Sequence, residues 1–312
     1  MLLIMDDLRI ALAQVTCRVG DLPSNLAKHR TFAAQAAEKG AEVICFPECS
    51  LTGYPDYQDV ALQAHQQRLD GELGQSMAAL SQETGLLVLA GMIEEGDGCV
   101  YNTQLIARSG EIVGAYRKAH ISDAEGQFFA AGDELPVWEH RGTTFGMQIC
   151  YDNHFPEGAR VLALRGAEVL FCPYGSPGPC TPEGYEAKQA RWLRYLCARA
   201  IDNSAYVCVV NQVGDAGYSK NGKPAESISS TPRDAHSGMT IYPGGSMVLN
   251  PWAEVMARAR PESEDLLIVD LSAEALREKR EDDLQHFLPY RRPSLYEDLT
   301  TRGKRSGSAF EK

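Results

Sequence analysis

Two eight-residue blocks constrain this chain more than any other feature. Gly40-Ala41-Glu42-Val43-Ile44-Cys45-Phe46-Pro47 is echoed by Gly166-Ala167-Glu168-Val169-Leu170-Phe171-Cys172-Pro173. Each block follows a helical pattern, carries a nearly continuous apolar run and ends with proline at the strand exit. Such a run reads as a strand buried on both faces, as in parallel sheets covered by helices. Chance similarity between two buried strands is one account of the echo. The other is a pair of related β-α-β halves whose sheets pack face to face with helices outside. That layered α/β arrangement would gather active groups at the carboxyl ends of the strands.

The segments around the blocks fit this reading. Leu8–Val15 reads as a strand, and Ser24 can cap a helix bearing Leu26, Ala33 and Ala37, which Gly40 stops. Glu42–Phe46 is a second strand. Helices are expected near 59–69 and 72–84, then strands at 86–93, 100–107 and 111–117, with a hairpin at Arg108-Ser109-Gly110. Glu157–Arg165 reads as a helix with Pro156 near its first turn, a place suited to proline. Strands are expected at Ser246–Asn250, Val255–Ala259 and Leu266–Leu271. Residues 215–240, rich in Gly, Ser, Pro, Lys and Asp, read as a long loop. No linker composition interrupts the chain, so one domain over 1–300 is expected, followed by a mobile polar tail, 301–312.

Composition excludes several function classes. A length of 312 residues with 44% hydrophobic content suffices for one sizeable core. The formal charge is −12, and no basic run precedes the tail, so neither nucleic acid nor an anionic membrane is expected as a partner. Met1–Met5 is too short for a signal h-region, and no apolar stretch reaches transmembrane length, which makes the cytoplasm the expected location. Nine cysteines show no Cys-x-x-Cys spacing, so they read as buried free thiols rather than metal ligands.

Three segments place a reactive side chain just after an apolar strand. They are Val43-Ile44-Cys45-Phe46-Pro47-Glu48, Gly114-Ala115-Tyr116-Arg117-Lys118-Ala119-His120 and Gly146-Met147-Gln148-Ile149-Cys150-Tyr151-Asp152-Asn153-His154-Phe155-Pro156-Glu157. Taken singly, Glu48 reads as a solvated loop residue and Lys118 as a surface charge. Cys150 precedes a helix start, where backbone N–H groups can lower a thiol pKa and cradle an oxyanion. Together and in this order, the three segments resemble the signature regions of the nitrilase, or carbon–nitrogen hydrolase, superfamily. The resemblance runs from Arg9 to about Leu299. It takes in Thr52-Gly53-Tyr54-Pro55, Asn211-Gln212-Val213-Gly214, Gly244-Gly245-Ser246-Met247 and Arg291-Arg292-Pro293-Ser294-Leu295-Tyr296.

The resemblance implies a four-layer α-β-β-α sandwich of two related halves and a thiol-dependent hydrolase of non-peptide C–N bonds. Cys150 would be the nucleophile, forming a thioester, and Glu48 the proton carrier. Lys118 and the backbone N–H of Tyr151 would face the oxyanion. Glu125, in Glu125-Gly126-Gln127-Phe128-Phe129-Ala130-Ala131-Gly132-Asp133, matches the second glutamate that orients the lysine; Glu134 is its rival. A pocket lined by Tyr54, Asn153, His154, Tyr174 and the 215–240 loop is expected. The substrate would be a small primary amide or N-carbamoyl compound, with ammonia released and no metal or organic cofactor needed. Asp152 gives the Cys-x-Asp pattern of amidase and carbamoylase branches. His154 stands where several branches carry an arginine able to clamp a carboxylate, which leaves an acid-bearing substrate in question. A homodimer or larger homo-oligomer is also implied. The alternatives are a true nitrilase and an inactive binding module on the same scaffold.

Overall fold

The computed structural model describes residues 5–54, 66–178, 180–219 and 239–300, without the side chains of 217–219 and 239–240. The first half runs β1 (Leu8–Gln14), α1 (Leu22–Glu38), β2 (Val43–Cys45), α2 (Glu72–Thr84), β3 (Leu87–Gly96), β4 (Cys99–Arg108) and β5 (Glu111–Arg117). The second runs β6 (Val137–His140), β7 (Thr143–Met147), α3 (Pro156–Leu164), β8 (Val169–Tyr174), α4 (Pro182–Asn203) and β9 (Tyr206–Asn211). A ribbon of β10 (Val213–Ser219) and β11 (Met239–Pro243) follows, then β12 (Met247–Leu249), β13 (Val255–Arg258), β14 (Asp265–Leu271) and α5 (Ala273–Glu281).

The two sheets have matching topologies. One is ordered β14-β1-β2-β3-β4-β5 and the other β6-β7-β8-β9-β12-β13, each with six strands. In both, three adjacent parallel strands continue into an antiparallel pair on one side and gain one antiparallel strand on the other. The echoed blocks occupy equivalent places, down to single hydrogen bonds. Glu42 N–H donates to Arg9 O and receives Leu87 N–H on its own carbonyl; Glu168 does the same with Thr144 and Tyr206.

Alternation along each strand explains the four layers. Ile10, Leu12, Val43 and Cys45 face Phe145, Met147, Val169, Phe171 and Cys208 in the layer between the sheets. Their neighbours Ala11, Ala13, Ile44 and Phe46 pack instead under α1 and α2. Leu170, Cys172, Val207 and Val209 pack under α3 and α4. A β-strand sends successive side chains to opposite faces, so apolar runs without alternation are what a doubly covered sheet requires.

Several local expectations change. Helix α1 starts earlier than Ser24: Asp21 is the cap, its carboxylate accepting from Ser24 N–H at 3.2 Å, with proline in the first turn. Both ends of the 215–240 stretch are strand rather than loop, since β10 and β11 pair through backbone groups that composition does not reveal. The rest of that stretch, the tail 301–312, Pro55 and most of the helix expected near 59–69 lie outside the described residues; 66–69 are not helical. Among the described residues no helix is long and apolar enough to cross a membrane.

Candidate active site

Two strand exits meet an elbow. Beyond β2, Glu48 is fully buried; beyond β5, Lys118 is 1% exposed. Lys118 Nζ donates to Glu48 Oε1 at 2.9 Å and to Glu125 Oε1 at 2.6 Å. Glu125 opens a short 3-10 turn, Glu125–Gln127, and is 2% exposed. Its other oxygen accepts from the Ser122 backbone N–H and hydroxyl at 3.1 and 2.9 Å. Glu134, the rival, is exposed and lines a cleft of about 370 Å3 behind the Lys118 strand, together with Arg117 and Asp133.

Cys150 opens a 3-10 turn, Cys150–His154, which hands the chain from β7 to α3. Its φ of +44° lies in the left-handed region, a strained conformation for a side chain with a Cβ. The thiol hydrogen-bonds Glu48 and feels the charges of Glu48, Lys118 and Glu125. Tyr151 follows on the elbow, and N–H groups in such a first turn have no earlier carbonyl of the turn to serve.

The elbow is tied down by residues with other expected roles. Asp152 is fully buried and accepts from Ile149 N–H at 2.9 Å, Tyr116 hydroxyl at 2.8 Å and His120 N–H at 2.7 Å. The His120 ring, 2.8 Å from the same carboxylate, stacks on Phe155 with centroids 4.0 Å apart. Asp152 therefore links the lysine and cysteine segments instead of presenting itself to a substrate. Asn153 is also fully buried, both its amide contacts going to the carbonyls of Gln148 and Cys150. Its amide nitrogen thus braces the elbow. Tyr54 donates to Glu125 Oε1 at 2.7 Å, so it belongs to the carboxylate cluster. Tyr174 is buried with its hydroxyl 3.4 Å from that of Tyr195, and the exposed His154 ring packs 4.7 Å from Tyr195.

Burial and charge split the two carboxyls. Burial, reinforced by the charge of Glu125, lifts Glu48 above the usual carboxylate range despite Lys118. Glu125 also loses hydration, but Lys118 and its hydrogen bonds hold it below that range. Burial alone would weaken the Lys118 ammonium, yet Glu48, Cys150 and Glu125 keep it charged well above its ordinary pKa. Burial and Glu48 push the Cys150 thiol up, outweighing Lys118. A thiol pKa lowered by backbone N–H groups is therefore not what this site has.

Three partners escaped the sequence. Asn102 on β4 donates to Glu48 Oε1 at 2.7 Å, and Gly175 N–H, at the exit of β8, donates to Glu48 Oε2 at 2.6 Å. The two echoed strand exits thus meet on one carboxylate. Gln212 donates to the Glu48 carbonyl at 2.8 Å. The one sequence signal for Asn102 was three successive polar residues, Asn102-Thr103-Gln104, in a strand where all three are buried. Among the described residues no His, Cys, Asp and Glu cluster could hold a metal ion.

Comparison with known proteins adds the decisive observation. The carbon–nitrogen hydrolase family model matches residues 9–281. The chain belongs to the carbon–nitrogen hydrolase family. This hydrolase is 33% identical over 299 residues to a hydrolase in the pqqF 5′ region of Pseudomonas protegens, covering 95% of this chain and 93% of that protein. It is 26% identical over 290 residues to a nitrilase of Pyrococcus abyssi, covering 92% and 98%. Its structure resembles an amidase of the nitrilase superfamily from Nesterenkonia, with a TM-score of 0.72 at 25% identity over 94% of this chain and 97% of the other.

Proposed function

We propose that this carbon–nitrogen hydrolase cleaves a small primary amide or N-carbamoyl compound through a Cys150 thioester and releases ammonia. The observation that carries the reading is the cluster itself: a strained cysteine beside two carboxylates that share one ammonium, with pKa values driven apart. Divergent pKa values in a coupled pair separate the proton carrier from the fixed charge. Glu48, raised and in contact with the thiol, takes the Cys150 proton as sulfur attacks the carbonyl carbon. Glu125, lowered, stays ionised and anchors Lys118.

Lys118, with the Tyr151 N–H, faces the oxyanion of the tetrahedral intermediate. Glu48 then passes its proton to the departing ammonia and removes one from the water that opens the thioester. Thiol, carboxylate and ammonium supply every function these steps require, so no cofactor enters the proposal. All nine cysteines are free, which suits a reducing cytoplasm.

The test is ammonia release from matched amides, N-carbamoyl compounds and nitriles. An amide presents an oxygen for Lys118 and a leaving nitrogen for Glu48, whereas a linear nitrile presents neither. We expect kcat/KM on the best amide or N-carbamoyl compound to exceed that on its nitrile at least a hundredfold, about 2.7 kcal/mol of transition-state binding. Faster turnover of the nitrile would make the enzyme a nitrilase, and no turnover of any class would favour a binding module.

A further inference from the structure

A second buried lysine borders this site, and the chemistry above has no use for it. Lys188, on the second turn of α4, is 6% exposed. Its ammonium donates to the carbonyls of Ser176 and Pro177, the latter at 3.0 Å, and lies 4.9 Å from the Trp192 ring centroid. Ser176 and Pro177 directly follow Gly175, whose N–H holds Glu48. Lys188 also feels the charge of Cys150.

Among the described residues its surroundings hold no carboxylate. The groups acting on it are Cys150 and Cys180, which favour its ammonium, and Arg191, which opposes it; burial outweighs them and brings the pKa down to about 7. Nearby, burial and then Arg191 and Arg199 hold the His154 ring below its ordinary pKa. Buried ammonium groups are almost always paired, because two carbonyls satisfy N–H groups without neutralising the charge. Lys118 has two carboxylates; among the described residues Lys188 has none.

We propose that Lys188 is a specificity-determining residue whose ammonium receives a carboxylate at the non-reacting end of the substrate. The proposal rests on the hydrolase reading and names its substrate class: amides or N-carbamoyl compounds that carry an acid. His154 stands where an arginine could have clamped that acid, and Lys188 offers the cation from a different helix. A lysine meets an anion as a point charge on a flexible stem, so it tolerates more than one chain length than a bidentate arginine would.

Two matched pairs test it: succinamate against butyramide, and glutaramate against pentanamide. In the wild type kcat/KM should favour the acid of each pair at least tenfold. In Lys188→Met that ratio should fall at least tenfold, chiefly through KM, and Lys188→Arg should recover part of it. The ratio is the readout because a variant that folds poorly loses both substrates together. A ratio unchanged in Lys188→Met, or a wild type preferring the uncharged amides, overturns the proposal.

A second measurement needs no turnover. Succinate or glutarate should slow alkylation of Cys150 by iodoacetamide, followed by peptide mass mapping, in the wild type and not in Lys188→Met, whereas 1,5-diaminopentane should not protect. Protection without hydrolysis of any amide would sink the hydrolase reading and keep the anion site. Hydrolysis of uncharged amides with no protection by either dicarboxylate would sink the anion site alone.

Discussion

Burial raises both the Cys150 thiol and the Glu48 carboxyl, and the two shifts belong together. A resting thiol that keeps its proton needs a strong base in contact, and a carboxylate stripped of water is a stronger base than one in solvent. Replacing Cys150 with Ala should abolish ammonia release while circular dichroism stays that of the wild type; substantial residual activity would end the thiol mechanism. Glu48→Gln and Lys118→Ala should each lower kcat by roughly a hundredfold or more, the scale of a lost general base or oxyanion donor. The same shifts fix a pH dependence. Only ionised Glu48 can accept the thiol proton, and its pKa is raised, so kcat/KM should fall on acidification at a pH above the ordinary carboxylate range. A pH–rate profile of the free enzyme reads this directly, and an acid limb inside that range would contradict the assignment. Exposure also revises which thiols react. Cys99 is exposed and Cys180 and Cys197 are half-buried, so alkylation at Cys150 must be distinguished by peptide mapping.

Between elements, the reactive groups are held by ties that cross the sheets. Asp152 gathers donors from Ile149, Tyr116 and His120 on one buried carboxylate, locking the elbow to the β5 exit that carries Lys118. Asp152→Ala would strand those donors, at about 1–3 kcal/mol for each buried group left unpaired. We expect a Tm lowered by several degrees and a kcat lowered at least tenfold; wild-type values for both would show that the tie is dispensable. How far such elements could be read beforehand follows from what each signal measures. Apolar runs locate strands, and so β2, β3, β4, β5 and β8 stand within a few residues of expectation. Proline marks the exit where Glu48 sits and the start of the helix that follows the Cys150 turn. Side-chain hydrogen bonds leave no such trace: Asn102 reaches Glu48 across the sheet from a strand distant in sequence, and even the short-range contacts of Lys188 and Asn153 depend on how the local backbone turns. Ribbon β10–β11 stayed hidden because a Gly- and Ser-rich composition says nothing of backbone pairing.

At the scale of the whole molecule, the fold is two halves of matching topology. Two β-α-β units with the same strand order bury their inner faces on each other, and the site forms where equivalent exits β2 and β8 converge. The echoed blocks carried that information, because a glycine stop, a doubly buried strand and a proline exit specify one supersecondary unit. What they did not carry is how the surface is used. Beyond α5 the chain runs over residues 282–300 as turns that leave Leu284 88%, Tyr290 63%, Leu295 62% and Leu299 64% exposed. Large apolar side chains in water are unfavourable at about 25 cal/mol per Å2, and where they adjoin they mark contact surfaces. A second copy of the chain is the partner we expect there, as the family resemblance implies. Sedimentation equilibrium should return at least twice the monomer mass, and Leu284→Glu with Leu295→Glu should shift it towards the monomer. A wild type that sediments as a monomer across the micromolar range would remove the homo-oligomer from the account and leave those side chains to a different partner.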